Sequence, residues 1–415
     1  MASPQPAVNP SPLKLSFSST RLPQVDWLRA VAALGVFVFH VSALSGFPKR
    51  VLPAFAISGR SFSHIPSPLS LGASGVNLFF VLSGFCLALQ QWRRGDTILR
   101  GRALRAYARN RVARIVPAYW AAILVSAAVV VCLTGVEVRQ ILGTAVLHLF
   151  FLHGFDPRSF LSLNGALWSM AVEVQFYVVF PIVLRLYAKH GGKRFLLIIG
   201  GVTLGYRLLV SVLPLPTQPI GGIELASLLS YQLPGRILEF ALGMWLADLY
   251  LHKPEQSKAI FAWAWIPILP VALWCRAAGP SALADPMLGI LYCAITGFAV
   301  LSMGVRTGGI TSFMEQRAAA FGRASYSFFL IHLPILEIIV RFWPVDYAHP
   351  YLSFARLSLV GFAFSAAAGA LLYHGVEWPL WERLRAPHVG LRGVADNMPL
   401  PTPAVTTYGH ARLSS

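Results

Sequence analysis

The feature that most constrains this chain is a series of apolar runs, each about as long as a membrane is thick. A helix needs about 20 apolar residues to cross the hydrocarbon core of a bilayer. Because a backbone in lipid must satisfy its own hydrogen bonds, such runs fold as helices. The sequence therefore predicts an all-α, polytopic transmembrane bundle of about ten spans. They lie near residues 26–46, 71–91, 115–134, 166–188, 195–214, 235–251, 259–275, 286–305, 325–343 and 355–376.

The composition excludes a soluble globule. Of the 415 residues, 56% are hydrophobic and only 12% are charged, whereas a soluble domain carries roughly 25% charged residues. The 34 Lys and Arg outnumber the 16 Asp and Glu, and they fall mainly in short stretches between the apolar runs. That pattern is typical of cytoplasmic loops and of attraction to anionic lipid, not of nucleic-acid binding, and it leaves some arginines for a polyanionic ligand.

The two ends of the chain differ from its middle. Residues 1–24 are rich in Pro, Ser and Gln, and residues 386–415 are rich in Pro, Gly and Thr. Both are predicted to be disordered tails around a transmembrane domain of residues 25–385. The first apolar run is predicted to be retained, because no small-residue cleavage site followed by a soluble domain comes after it. The four cysteines lie in apolar runs without metal-type spacing, so no metal site is predicted.

One further apolar run, residues 141–155, is shorter and contains two histidines, so it either crosses or is re-entrant. The stretch 93–114 has eight arginines against one acid and is predicted to be cytoplasmic. If 141–155 does not cross, the later basic stretches at 189–194, 253–258, 306–323 and 383–392 all fall on the cytoplasmic side. The positive-inside rule therefore favours ten spans with both termini cytoplasmic.

The first span carries two ionisable residues on one face. Arg29 and His40 are 11 residues apart, which is three helical turns plus roughly 20° and a rise of about 16 Å. Arg29 would lie at the cytoplasmic end and His40 near mid-membrane. A snorkelling Arg and a helix-packing His explain the pair as well as a functional site does.

Two later motifs favour a site. Arg111 and Arg114 share a helical face at the cytoplasmic interface, a geometry suited to a phosphate group. Ser169, Glu173 and Tyr177 recur at every fourth position and form one polar stripe on an otherwise apolar helix. Glu173 either binds a hydroxyl-bearing substrate or pairs with an arginine of another span.

Several other polar residues are better explained by structure. Arg236 is the arginine that could pair with Glu173, but it also has an i, i+3 neighbour in Glu239, and that pair is interpreted as structural. His332 and His374, near cytoplasmic helix ends, are interpreted as helix-packing hydrogen bonders.

These motifs, in their order, resemble the acyltransferase 3 family of integral membrane proteins, which O-acylate surface glycans and some lipids or small molecules. The resemblance runs from about residue 22 to 385 and rests on DWLRA…FH, GVNLFFVLSGF, RNRVARIVPAYW, LWSMAVEVQFY, RILEFALG, SYSFFLIH and HGVEWPLWERL. It implies an acyl-CoA donor on the cytoplasmic side, an acceptor hydroxyl on the other side and no metal. The family often has a second Glu after Glu173, but Val174 stands here, so a role that needs that second acid is not expected.

The resemblance also assigns roles. Arg29 and His40 match the family's Arg-x10-His motif, and Arg111 with Arg114 match its RxxR motif. His40 and Glu173 are predicted to be catalytic, and Arg29, Arg111 and Arg114 to bind acyl-CoA. Glu173 is predicted to face the acceptor because it lies early in a helix that enters from the outer side, with Trp168, Ser169 and Tyr177 predicted to bind the acceptor. His40 would take the proton of the acceptor hydroxyl or first accept the acyl group itself. The implied partners are acyl-CoA, membrane lipid and a glycan, lipid-linked sugar or metabolite, with no nucleic acid and with a homodimer left open. The implied location is the cytoplasmic membrane if the source is a bacterium.

A competing function is a transporter or flippase of a glycan or metabolite without acyl transfer. Secondary transporters also carry intramembrane charges, but they usually show internal symmetry and broken helices in both halves, which this sequence lacks. The acceptor stays open, and acetyl is preferred over longer acyl groups by resemblance alone.

Overall fold

The computed structural model describes residues 22–47, 50–52, 55–57, 60–62, 65–66, 68–95, 99–263, 283–302 and 310–385. The predicted tails lie outside the described residues, apart from Leu22 and the first two residues of the first helix. Most of the predicted span at 259–275 lies outside them as well.

The described part of the chain is built from helices, which confirms the all-α prediction. They are α1 Pro23–Leu44, α2 Gly75–Trp92, α3 Gly101–Thr134, α4 Val138–Leu149, α5 Trp168–Val212, α6 Leu225–Ser230, α7 Leu233–His252, α8 Pro254–Ala262, α9 Ala284–Gly297, α10 Ile310–Phe342, α11 Pro350–Leu372 and α12 Trp378–Leu384. Short helical turns at Pro68–Ser74 and Leu152–Phe155 precede α2 and α5, and π turns at Phe298–Ser302 and Tyr373–Glu377 continue α9 and α11. The strands are short antiparallel pairs between α1 and α2: β1 Arg50–Leu52 with β4 Ile65–Pro66, and β2 Phe55–Ile57 with β3 Arg60–Phe62.

In the described ranges, seven helical stretches are long and apolar enough to cross a membrane. They correspond to α1, α2, α3, α5, α9, α10 and α11, each with its flanking turns. Helix α7 has 20 residues and is mostly buried, but it contains Arg236, Glu239 and Asp248. Helix α7 is therefore long enough to cross a membrane, but its three charged residues distinguish it from the seven apolar stretches.

Helix α5 is a hairpin of two antiparallel segments. Its backbone leaves the helical region at Gly191, where φ is 70° and ψ is 165°, a positive φ that glycine adopts without strain. Before this break, Gln175 accepts a hydrogen bond from the backbone of Leu233, at the start of α7, and Tyr187 donates one to Asp248, near its end. The first segment therefore runs parallel to α7.

After the break the direction reverses. Gly192 lies against Trp245 near the end of α7, and Arg207 donates to the carbonyl of Gly235 near its start, at 3.4 Å. The two predicted runs at 166–188 and 195–214 are thus separate helical segments that fold back on each other at Gly191.

The run at 141–155 forms the 12-residue α4 and the turn Leu152–Phe155. At 1.5 Å per residue α4 is about 18 Å long, whereas the hydrocarbon core is about 30 Å thick. This run is too short to cross a bilayer as one straight helix.

Glycines bring the central helices into close contact. A Cβ placed at Gly84 on α2 would lie 2.0 Å from the carbonyl oxygen of Phe240 on α7, and one at Gly243 on α7 would lie 2.0 Å from the carbonyl oxygen of Val81. Small residues at such crossings let helix backbones approach closely in a membrane. This reciprocal contact places α2 at the centre of the bundle.

A buried charge network ties α7 to α5, α9 and α2. Arg236 pairs with Glu239 at 3.1 Å and with Asp285 at 2.5 Å, and Arg207 pairs with Asp285 at 3.0 Å. Asn77 of α2 donates to Glu239 at 2.8 Å. The predicted Arg236–Glu239 pair is confirmed, and these acids, not Glu173, are the partners of Arg236.

Candidate active site

Helix α1 carries Arg29 and His40 into two adjoining cavities. Arg29 lines the first cavity, of about 120 Å³, and His40 lines the second, of about 680 Å³. Val76 of α2 and Phe329 of α10 line both cavities. One helix thus supplies a cation to one cavity and an imidazole to the other.

The first cavity, called here the arginine cavity, gathers most of the residues that the sequence singled out. Arg29, Arg111 and Arg114 line it together with Ser169, Glu173 and Tyr177. These six residues come from α1, α3 and α5, so the fold brings three distant segments together around one space.

Glu173 is held by two hydroxyl groups. Ser83 of α2 donates to Glu173 Oε1 at 3.0 Å, and the Tyr177 hydroxyl donates to the same oxygen. The two hydroxyl oxygens are themselves 3.1 Å apart. The carboxylate therefore has a fixed orientation inside the arginine cavity.

The three arginines differ in their partners. Arg29 lies 3.5 Å from Asp26 Oδ1 and donates to Cys86 Sγ at 3.5 Å. Arg111 donates to the Gln90 amide oxygen at 3.4 Å, and its guanidinium lies 5.9 Å from the centre of the Tyr177 ring.

Arg114 forms an ion pair with Glu377, a fully buried carboxylate that also accepts a hydrogen bond from Ser327. Glu377 lies in the π turn after α11, and such turns are frequent at functional sites. The sequence drew attention to the motif HGVEWPLWERL but gave no sign of this pairing, because the two residues are 263 positions apart in the chain.

The imidazole of His40 contacts a second imidazole. His40 Nδ1 lies 2.9 Å from the carbonyl oxygen of Val36 and 3.1 Å from His332 Nε2. His332 Nδ1 lies 2.7 Å from the carbonyl oxygen of Phe329. Since a carbonyl only accepts, each neutral ring carries its proton on Nδ1. This leaves the lone pair of His40 on Nε2.

His332 was interpreted from the sequence as a packing residue, and the structure adds contact with His40 to that role. His374, interpreted in the same way, is exposed and stacks edge-on against Tyr373. Sequence spacing could not separate the two, because contact with His40 depends on how α10 packs on α1.

The second cavity, called here the histidine cavity, is wider and mixes aromatic with charged groups. Trp168 lines it beside Phe160 and Tyr231, and the three rings stack with centroids 4.6 to 6.1 Å apart. Arg236 and Asp285 of the buried charge network also line it. Of the predicted acceptor-binding residues, Trp168 therefore lies with His40, whereas Ser169 and Tyr177 lie with the arginines.

Two buried histidines outside the predicted spans fix the start of α5. The rings of His148 and His153 stack at 4.0 Å with 8° between their planes, and His153 Nε2 donates to the carbonyl of Leu167 at 3.1 Å. Burial, reinforced by the neighbouring His148, lowers the pKa of His153 to about 3, and burial lowers the pKa of His148. The pair anchors the residue directly before Trp168.

In the part of the chain that the structure describes, no group of three or more His, Cys, Asp or Glu side chains is arranged to hold a metal ion.

A family model described as an acyltransferase domain matches residues 22–375. The chain belongs to the acyltransferase 3 family. Among curated proteins, it is 27% identical over 380 residues to acyltransferase MdmB of Streptomyces mycarofaciens, covering 86% of this chain and 91% of that protein. It is 25% identical over 350 residues to the peptidoglycan O-acetyltransferase OatA of Listeria monocytogenes, covering 78% of this chain and 50% of that protein.

A shorter match, 25% identical over 175 residues, links this acyltransferase to the putative O-acetyltransferase SACOL0978 of Staphylococcus aureus and covers 39% of this chain and 24% of that protein. No solved structure matches the chain significantly. The comparisons make this chain an integral membrane acyltransferase, as its sequence motifs predicted.

Proposed function

We propose that this acyltransferase moves an acetyl group from acetyl-CoA on the cytoplasmic side to a hydroxyl of a glycan, a lipid-linked sugar or a small metabolite. The observation that carries this proposal is the pair of adjoining cavities, one lined by three arginines and the other by His40. A CoA thioester has its phosphates at one end and its reactive carbonyl at the other, so it needs a cationic anchor and a base that are far apart.

The donor phosphates are assigned to the arginine cavity. Guanidinium groups bind phosphate through two parallel hydrogen bonds, and they keep their charge in a membrane protein. Arg111 has its guanidinium on an amide and an aromatic ring, so it can turn to a phosphate without breaking an ion pair such as the one that Arg114 makes. Arg114 has to share its charge between the donor and Glu377.

The chemistry is assigned to His40. Nε2 takes the proton from the acceptor hydroxyl while the hydroxyl oxygen attacks the thioester carbonyl. The carbon–sulfur bond then breaks, and the departing CoA thiolate takes the proton from the imidazolium. The same nitrogen also serves the two-step route, in which the acyl group first bonds to Nε2 and the hydroxyl attacks afterwards.

Glu173 and Tyr177 are assigned to the donor side. Their position beside the arginines favours a role in orienting the thioester end of CoA over one in holding the acceptor. Ser83 and Tyr177 both donate to one carboxylate oxygen of Glu173, which holds that oxygen in place within the arginine cavity.

The acceptor is assigned to the histidine cavity. Its volume and its stacked aromatic rings next to charged groups suit a ring-bearing molecule with several hydroxyls, because sites for such ligands combine apolar faces with a few fixed polar groups. The name of the Listeria relative, a peptidoglycan O-acetyltransferase, is consistent with this class.

The proposed topology has ten spans, with both termini cytoplasmic. The α5 hairpin supplies two of these spans and α7 a further one, and the tenth is the predicted run at 259–275, most of which lies outside the described residues. The basic stretches lie at one end of the bundle: Arg93 lies over the ring of Tyr250 near the end of α7, and Arg109 donates to the carbonyl of Leu384. That clustering supports a cytoplasmic face at this end.

The test uses the purified full chain in lipid nanodiscs with acetyl-CoA labelled in the acetyl group. Release of CoA thiol and movement of label to a lipid or glycan extract of bacterial membranes are measured together. We expect both in the wild type and neither in His40→Ala. Intact acetyl-CoA with wild-type protein would instead point to transport of a glycan or metabolite without acyl transfer.

A further inference from the structure

The two cavities adjoin at Val76 and Phe329. These are the two described residues that line both cavities, and their side chains are 7% and 5% exposed. The ring of Phe329 packs edge-on against Phe79, another residue of the arginine cavity, with centroids 5.8 Å apart. Its carbonyl accepts the hydrogen bond from His332, the ring that contacts His40.

We infer that Phe329 and Val76 form a partition that selects the acyl group of the donor by size and admits acetyl over longer chains. The inference rests on the proposed function. With the phosphates at Arg29 and Arg111 and the base at His40, the acyl end of the donor has to pass these two side chains. On α1, Arg29 and His40 are separated by a rise of about 16 Å. Arg29 lines the arginine cavity and His40 lines the histidine cavity, and Val76 and Phe329 lie at the boundary between these two cavities.

Packing explains why such a partition discriminates by size. Both side chains are buried among other apolar groups, so the wall has little room to yield. One methylene too many in an apolar pocket costs about 10- to 200-fold in catalytic efficiency. A butyryl group has two more methylenes than acetyl, so discrimination at this wall is large enough to measure.

The experiment compares acetyl-CoA and butyryl-CoA with wild-type protein and Phe329→Ala in lipid nanodiscs. The readouts are kcat/KM for release of CoA thiol and Kd of each acyl-CoA by calorimetry. Wild type is expected to favour acetyl-CoA by about tenfold or more, and Phe329→Ala to bring butyryl-CoA within about threefold of acetyl-CoA. Kd is expected to change less than about threefold, since the arginines hold the phosphates.

The matched control is Phe195→Ala, which also removes a phenyl ring. Phe195 is fully buried in the second segment of α5, where its ring packs against Tyr187 of the first segment. It should keep the wild-type preference. Val76→Ala opens the partition from α2 with a smaller loss of packing, and it decides the question if Phe329→Ala does not fold.

The experiment distinguishes failure of the proposed function from failure of the partition alone. Wild-type protein that releases no CoA from either donor overturns the proposed function and this inference with it. Wild-type protein that transfers acetyl, together with folded Phe329→Ala or Val76→Ala variants that keep its donor preference, overturns the partition alone.

Discussion

The proton on His40 is positioned by its neighbours. The carbonyl of Val36 and the Nε2 atom of His332 both face Nδ1 of His40, and the carbonyl of Phe329 holds His332 in the matching tautomer. A neutral imidazole with its lone pair on Nε2 is ready to accept a proton or an acyl group. The catalytic assignment of His40 therefore rests on local geometry as well as on its place in α1.

Replacing His40 tests this directly. His40→Ala should lower CoA release from acetyl-CoA by about 100-fold or more, the range that general-base catalysis contributes. Its melting temperature should stay near the wild-type value, because the side chain is only half-buried. His374→Ala, at an exposed position, is the control. Activity of His40→Ala within a few fold of wild type would remove His40 from the chemistry.

Arg111 offers the cleaner test of the phosphate anchor. Arg111→Gln should weaken acetyl-CoA binding by about 10- to 100-fold, since a hydrogen bond to a charged group contributes about 1.5–3 kcal/mol. Arg114→Gln would also leave the buried Glu377 without its cation, which mixes lost stability with lost affinity. Calorimetry at low and high salt is the measurement.

The control for Arg111 is Arg105→Gln, an exposed position on the same helix, which should bind acetyl-CoA as wild type does. Equal affinity in Arg111→Gln and wild type, at both salt concentrations, would contradict the anchor.

At the scale of elements, hydropathy predicted where helices lie but not where they end. The apolar run at 115–134 is the second part of α3, which begins at Gly101 inside the arginine-rich stretch. Arginine and alanine are good helix formers, so the helix continues into a region that a hydropathy window counts as a loop. The same holds for α10, which begins at Ile310, before the predicted run at 325–343.

The histidine pair before α5 makes a pH prediction. His148 and His153 are neutral in the fold, with lowered pKa values, whereas in the unfolded chain they titrate near about 6.5. Below that pH the unfolded chain takes up protons that the fold does not, so stability falls as pH falls from about 6.5 toward 3. For His153, whose pKa falls to about 3, the loss approaches about 1.4 kcal/mol per pH unit within this range. His148, whose pKa is also lowered, adds a loss of the same sign.

Thermal unfolding in nanodiscs between pH 7.5 and 5 measures this slope. His153→Gln keeps a side-chain donor for the Leu167 carbonyl but removes a titrating group, so the melting temperature should depend less on pH. His374→Gln, at an exposed position in the turn after α11, should keep the wild-type slope. If His153→Gln has the same slope as wild type, the pair does not carry the linkage.

At the scale of the whole molecule, the sequence located the polar residues, and the packing of the helices decided their grouping. Arg29, Arg111 and Glu173 meet in one cavity because α1, α3 and α5 converge there. His332 is 292 residues from His40, and no spacing rule relates residues so far apart. The sequence also could not show that Trp168 and Tyr177 line different cavities, because both lie on α5. Which cavity each residue lines depends on the helices packed against it.

The proposed membrane topology depends on where the basic stretches lie relative to the helices. Gly191 and the basic residues around it form the turn of the α5 hairpin, and the end of α7, followed by a second basic stretch, packs beside that turn. In the proposed ten-span topology the hairpin crosses twice and α4 does not cross, which puts both basic stretches on the same side as residues 93–114. Positive charge on short loops marks the cytoplasmic side.

Cysteine labelling tests this arrangement at two exposed lysines, Lys193 beside the hairpin turn and Lys258 after α7. In a background with the four native cysteines replaced by alanine, Lys193→Cys and Lys258→Cys should resist a membrane-impermeant maleimide in intact cells and react after the membrane is opened. Leu161→Cys, an exposed position that lines the histidine cavity, should react in intact cells. The two faces are thereby read independently: labelling of either lysine position from outside contradicts the ten-span arrangement, and protection of Leu161→Cys contradicts an acceptor cavity that faces away from the cytoplasm.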